Sequence, residues 1–299
     1  MTELRALIDR NTRLFFKDKG MFLTALITPM ILLVLYMTFL GNIYRDSFLS
    51  VIPEGITLPD KLIGGCVGGQ LVGSLLSVSC VTVSFCSNLL MVQDKVSGAR
   101  RDLTVSPVKG STLALGYYLA TILSSLLICL AALAACMVYL ASVGWYLSAA
   151  DVLLLTLDVV LLVLFGTALS SIINFFLSSQ GQISAVGTII SSCYGFISGA
   201  YMPISQFSTG LQTALSFLPG TYGTALVRTH AMHGCFDEMI SHGLEAEYVQ
   251  AMGDSIDCSI FFFGKRVGEG MSYLILSGTV VLCIAVYILM NTRKRRHDP

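Results

Sequence analysis

Asp158 stands inside an apolar run, flanked by Thr156-Leu157 and Val159-Val160. A carboxylate at mid-bilayer costs about 2.5–3.5 kcal/mol on insertion scales. It can escape that cost by staying protonated, by binding a cation, by relaying protons, or by pairing with a hydroxyl on a neighbouring helix. No Lys or Arg lies within the apolar runs to pair with it, so functional and structural roles both stay open.

A second set of polar residues falls between Ile63 and Val92. Gln70, Ser74, Ser77, Ser84 and Asn88 follow one another at spacings that keep them on one side of a helix. Such a stripe reads as the wall of a hydrated path, with helix packing as the plainer alternative. Beside it Gly65, Gly69 and Gly73 recur at every fourth residue, the spacing that lets two helix backbones approach closely. The device returns further on with Gly187, Ser191, Gly195 and Gly199, next to the hydroxyls of Ser184, Thr188 and Ser198. Gln70 to Asn88, Asp158, Ser184, Thr188 and Ser191 are the candidate path, and the glycines are assigned to helix contacts.

No enzyme motif accompanies these residues. Gly264-Lys265 is followed by Arg266, so the chain has no phosphate-binding loop ending Gly-Lys-Ser/Thr. His230, His233 and His242 fall in a polar stretch without a cysteine pair at zinc spacing, so no metal site is expected. Nothing suggests a nucleic-acid partner.

The elements that must position these side chains are transmembrane helices. Hydrophobic residues make up 55% of the 299 and charged residues 12%, about half the charged share of a soluble domain. Six stretches are long enough to span, at about 20 residues each: Met21–Leu40, Ile63–Val92, Ser111–Val143, Val152–Phe176, Ile183–Tyr201 and Met271–Met290. The first is too long for the apolar region of a cleaved signal peptide. With both termini placed inside, the first twenty residues, the 93–110 loop and the C-terminal tail hold 13 of the 18 basic residues. That bias predicts cytoplasmic termini and an even number of spans. Residues 1–20 read as a basic amphipathic helix in the headgroup plane, turned into the first span at Gly20.

Seven of the nine cysteines lie in apolar stretches. Cys235 and Cys258 fall in the outer region 202–270, where a disulfide is open. In that region the chain from Pro203 to Pro219 is apolar but too short to cross, which suggests a segment that dips in and returns. From about His230 to Glu269 it is polar and acidic, and reads as an extracytoplasmic excursion.

The inner loop Asp94-Lys95-Val96-Ser97-Gly98-Ala99-Arg100-Arg101-Asp102-Leu103-Thr104-Val105-Ser106-Pro107-Val108 resembles the first cytoplasmic loop of type-2 ATP-binding-cassette (ABC) permeases. Lys95, Gly98, Leu103 and Ser106-Pro107-Val108 fit that family's pattern. Val96 and Ala99 replace its usual Glu and Thr. Ser198-Gly199 with Pro203, then Leu218-Pro219, Tyr222 and Arg228, resemble its re-entrant signature, with Ser208 at a usual proline.

The resemblance implies an all-α membrane protein: a single domain over 1–299, an elbow helix, six spans, and a re-entrant extracytoplasmic element before the last. It implies a permease subunit of an ATP-driven exporter of the drug-resistance or antibiotic-export kind, in a cytoplasmic (inner) membrane. A separate ATPase chain would hold ATP and Mg, with no cofactor on this chain. Asp94, Lys95, Gly98, Arg100, Arg101, Leu103 and Ser106 to Val108 would then form the coupling helix that docks on that ATPase. Two permease copies, identical or paralogous, would meet along the second and fifth spans, surrounded by lipid. A lipophilic drug, peptide or lipid suits the apolar walls. The competing readings are a proton-coupled secondary transporter using Asp158 and a membrane sensor or scaffold acting through 202–270.

Overall fold

A computed structural model describes residues 2–35, 38–39, 41–51, 58–105 and 108–297. The chain is almost wholly helical there. Among the described residues, four helical stretches are long and apolar enough to cross a membrane: Asp60–Val96, Gly110–Val143, Ala149–Phe176 and Glu269–Arg293. A fifth is counted if the bent pair formed by the first two helices is one span. The expectation of six rests on two segments that fall short of this measure. Met21–Leu40 is helical over α2 (Lys19–Leu35), and its end includes residues 36, 37 and 40, which lie outside the described residues. Ile183–Tyr201 is α9 (Gln180–Ile197), which carries many hydroxyls.

Helix α1 (Thr2–Lys17) meets α2 at 75°. The turn is made at Asp18, two residues before the Gly20 that the sequence suggested. Its Oδ1 accepts the otherwise unpaired N–H groups of Gly20 and Met21 at 3.0 and 3.1 Å, an acidic cap on the first turn of α2. Helix α1 also lies against the bundle. Leu7 and Phe15 are buried, and a methyl on Gly116 would sit 2.9 Å from Leu7 Cβ. A short α3 (Gly41–Val51) follows in the stretch between the first two apolar runs.

Helix α4 (Asp60–Asn88) runs on into α5 (Leu90–Val96), and α6 (Ala99–Val105) follows a turn. Next come α7 (Gly110–Val143) and α8 (Ala149–Phe176). Ser148 and Asp151 form a capping box at the start of α8, as Ser179 and Gln182 do for α9. The arrangement is organised around α4, whose apolar window is 94% buried by this chain, whereas that of the last helix is only 17% buried. Helices α2, α7, α8 and α9 and the later α11 all pack against α4.

The region 202–270 differs most from expectation. A single 3-10 turn (Ile204–Gln206) and α10 (Thr209–Leu215) precede α11 (Pro219–Ser241), with Pro219 at its first position. Helix α11 is buried along much of its length, including Arg228 and His230. The excursion proper is α12 (Ala246–Ser255) and a hairpin of β1 (Ile260–Phe262) and β2 (Lys265–Val267), with α13 (Glu269–His297) closing the chain. Cys235 and Cys258 are both free thiols, so the open disulfide is not formed.

Candidate functional site

Three clusters of polar side chains stand out. The first lies at the α5–α6 turn. Asp94 is buried and receives both Nη1 and Nη2 of Arg10, at 2.7 and 3.1 Å, and the hydroxyl of Tyr117 at 2.5 Å. A forked guanidinium on a carboxylate is the strongest common ion pair, and here it ties α1 and α7 to the end of α5. The bond to Asp94 holds the Arg10 charge more firmly, outweighing partial burial. Lys95 donates to the carbonyls of Asn174, Phe175 and Leu177 at 2.8, 2.6 and 2.9 Å. It thus places a cation on the negative end of α8. Arg100 reaches Asn291 of α13 at 2.9 Å. Four helices are therefore fastened to the α5–α6 turn.

The surface of this turn has another character. Gly98 takes φ of 86°, and Val96, Gly98, Arg101 and Val105 are exposed. Leu103 and Val108 lean inward on a cluster containing Leu7, Met91 and Tyr287. The proposed coupling residues thus divide into anchors (Asp94, Lys95, Arg100, Leu103, Val108) and an outward face. Ser106 and Pro107 lie outside the described residues.

The second cluster is built from the re-entrant signature. Arg228 is 1% exposed. Its Nη2 donates to the Gly199 carbonyl at 2.9 Å and more loosely to Ser74 Oγ at 3.3 Å, and its Nη1 donates to the Ile256 carbonyl. Gly199 has φ of 76°, a conformation any side chain would strain, and this turns its carbonyl toward Arg228 as α9 ends. Asp257 accepts the backbone N–H groups of Ile204 and Ser205, which follow Pro203. The Tyr222 hydroxyl donates to the Ser216 carbonyl at 2.7 Å. Ser198, Gly199, Pro203, Pro219, Tyr222 and Arg228 are thereby gathered at one end of α9 and α11. Gln70, one turn from Ser74, is 1% exposed and its Oε1 has no hydrogen-bond partner among the described residues. Such an orphan costs about 1–3 kcal/mol. Ser198 Oγ and Arg228 Nε likewise have no hydrogen-bond partner among the described residues.

The third cluster surrounds Asp158. It is buried, with His230 Nδ1 at 2.6 Å from one oxygen and the Tyr273 hydroxyl donating to the other at 2.5 Å. The partner sought for Asp158 is therefore an imidazole from α11, which the sequence had left in a loop. Glu269, exposed, lies 4.0 Å from His230 Nε2. A composition signal for α11 was present in Gly220, Thr221, Gly223, Thr224 and Ala225, the small residues that close helix contacts favour.

The rest of the expected path is not assembled. Ser77 and Ser84 are buried and bond the carbonyls of Gly73 and Cys80 in their own helix, at 2.7 Å each. Asn88 is held by Ser170, Ser171 and Thr121. Ser184 and Thr188 are exposed on α9 and Ser191 is half-buried, apart from the α4 stripe. Gly65, Gly69 and Gly73 do serve close packing, but against this chain. A methyl on Gly69 would fall 2.6 Å from the Ala231 carbonyl, and one on Gly73 3.0 Å from Arg228 Cα. Helix α4 therefore has no face left for a second copy, contrary to the expected contact along it. Gly187 on α9 faces open space, and Gly195 abuts the Tyr201 ring.

The family model for ABC-2 type transporters matches residues 2–230, from the start of α1 to the middle of α11. No curated protein matches the chain. The matched stretch contains the α5–α6 turn and Arg228 with its partners, and covers well over half of the sequence. This multi-pass helical membrane protein, a transport subunit with no catalytic role of its own, belongs to the ABC-2 type transporter family.

Proposed function

We propose that the chain is the permease subunit of an ATP-driven exporter, powered through the α5–α6 turn by a separate ATPase subunit that carries ATP and Mg. The observation that carries this reading is the division of that turn. Its root is fastened to α1, α7, α8 and α13 through Arg10, Tyr117, Lys95 and Arg100, while Val96 and Val105 stand exposed beside it. An exposed apolar patch on a firmly held helix suits a protein partner, and a push there would reach four helices at once. In this reading α2 and α9 join the other four as spans. Both termini face the cytoplasm of a cell whose inner membrane holds the chain, as the basic-residue bias supports. A second permease copy would use the small-residue face of α9 around Gly187, since α4 is enclosed. The substrate is lipophilic.

The test is purification of the tagged chain in mild detergent. An ATPase subunit should accompany it, and replacing residues 96–105 with a Gly-Ser linker should release that subunit. Retention of the ATPase by the linker variant, or its absence from the intact chain, would sink the reading. One observation favours a proton-coupled mechanism instead: the chain of Glu269, His230 and Asp158 reaching from an exposed carboxylate to a buried one. Transport that stops when the proton gradient is collapsed at constant ATP would move the assignment there.

A further inference from the structure

A cavity of about 350 Å³ lies between α3, α12, the 204–206 turn and α4. Ligand sites commonly begin at about 300 Å³, so the space suits a fused-ring molecule or one short acyl chain. Tyr44 and Phe48 of α3 line one side, and Met252 and Ile256 another, with Ser205 and Ser255 supplying hydroxyls. Gln70 forms part of the inner wall, and its buried Oε1 is the orphan described above. None of the described lining residues is charged. Ile256 of the lining accepts from Arg228, whose Nη atoms are committed to Gly199, Ser74 and Ile256.

We propose that this cavity binds an uncharged lipophile bearing a hydroxyl or amide donor, which Gln70 accepts while Tyr44, Phe48 and Met252 hold the apolar body. Aromatic and thioether walls favour flat or flexible carbon skeletons. A buried acceptor with no partner selects for a donor, because a ligand lacking one leaves it unpaired. An ionic headgroup would meet no counter-charge among these residues and would lose its hydration on entry. A neutral membrane lipid and a neutral transported solute share this chemistry. The inference names the substrate class of the exporter and rests on the transport reading for that meaning alone, since binding needs no ATPase.

The full-length chain in nanodiscs is titrated with tritiated 1-monooleoylglycerol, with its dimethyl ether, with estradiol and with cationic rhodamine 6G, each corrected against empty nanodiscs. Saturable binding is expected for monooleoylglycerol, for estradiol or for both, with the ether and rhodamine 6G at least about threefold weaker. Gln70→Leu should weaken the hydroxyl-bearing ligand about three- to tenfold and leave the ether unchanged. Ser255→Trp, which fills the cavity, should abolish binding. Phe48→Ala should weaken it if the tryptophan variant does not fold. Preference for monooleoylglycerol identifies a lipid source, and preference for estradiol a transported solute. No saturable binding, equal binding of the ether, or a Gln70→Leu chain of unchanged affinity overturns the proposal. Binding that persists in a chain from which no ATPase copurifies leaves this site standing and removes the exporter reading.

Discussion

Replacing Asp94 by Asn probes whether the α5–α6 turn is held as described. The substitution keeps the shape of the side chain but removes its charge and one of the two acceptor oxygens that Arg10 grips. Breaking a fully buried ion pair costs about 3–5 kcal/mol. The Arg10 side chain is 31% exposed and Asp94 only 7%, so water recovers part of the loss. An intermediate cost of about 2 kcal/mol follows, comparable to one charge-assisted hydrogen bond of about 1.5–3 kcal/mol. At about 2–4 °C per kcal/mol for domains of a few hundred residues, Tm should fall by about 4–8 °C. The buried cysteines supply the readout, because Cys66, Cys80, Cys86, Cys129, Cys136 and Cys235 are hidden until the bundle opens, and a thiol-reactive fluorophore reports their release. Arg10→Met should cause a similar fall, and the double variant little more than either alone, since both remove one interaction. Asp9→Asn is the control. Its partner Arg13 is four residues away on exposed helix surface, and it should shift Tm by less than about 1 °C. An Asp94→Asn chain that melts like the wild type, or Arg10 and Asp94 effects that simply add, would refute the account.

Other substitutions separate residues that look alike in the sequence. Gly69→Ala should destabilise by about 1–3 kcal/mol, because its methyl would press on the Ala231 carbonyl, a backbone atom that cannot rotate away. Gly278→Ala, inside α13, meets nothing within 4 Å and should raise Tm slightly, by the helix preference of Ala over Gly of about 0.5–1 kcal/mol; thermal melts of the two variants check both signs. Burial pushes the Cys258 thiol up to about 12, so it should resist alkylation at pH 7, and intact mass should be identical with and without reductant. A loss of 2 Da would point to the disulfide that the structure does not form. Pro107→Gly should lower substrate-stimulated ATPase turnover more than ATPase copurification, and normal stimulation would count against the coupling role of this loop.

Hydropathy made α4, α7, α8 and α13 legible, because each carries a predominantly apolar run of about 20 residues or more with at most one charge inside it. It could not find α11, whose Thr, His and Arg read as a loop. Those residues are buried only because Asp158, Ser74 and the Gly199 carbonyl meet them, and each partner lies 29 to 154 positions away in sequence. Side-chain spacing put Gln70, Ser74, Ser77, Ser84 and Asn88 on one stripe of what is helix α4. Whether a stripe faces water or a neighbouring helix depends on that neighbour, and period alone carries no such information. The glycine repeats show the same limit, since Gly69 and Gly73 are sealed against α11 while Gly187 faces open space. Asp94 and Lys95 lay within the recognised loop, yet their anchoring role required knowing that α1 folds back beside them.

The enclosure of α4 has a consequence for how the protein is made. This helix enters the membrane before α7, α8 and α11 exist. At about 5–20 residues per second, the ribosome reaches α11 on the order of ten seconds later. During that interval Gln70, Ser74 and Asn88 face lipid or the insertion machinery without Arg228, Ser170 or Ser171 to receive them. Lipid offers no hydrogen bonds and little driving force for helices to associate, beyond close packing and polar contacts. The residues that hold the finished bundle together are therefore those that leave the nascent chain most exposed to degradation. A chain stalled or truncated before Pro219 would present an unclosed stripe of amides and hydroxyls, the kind of lesion that membrane quality control can recognise.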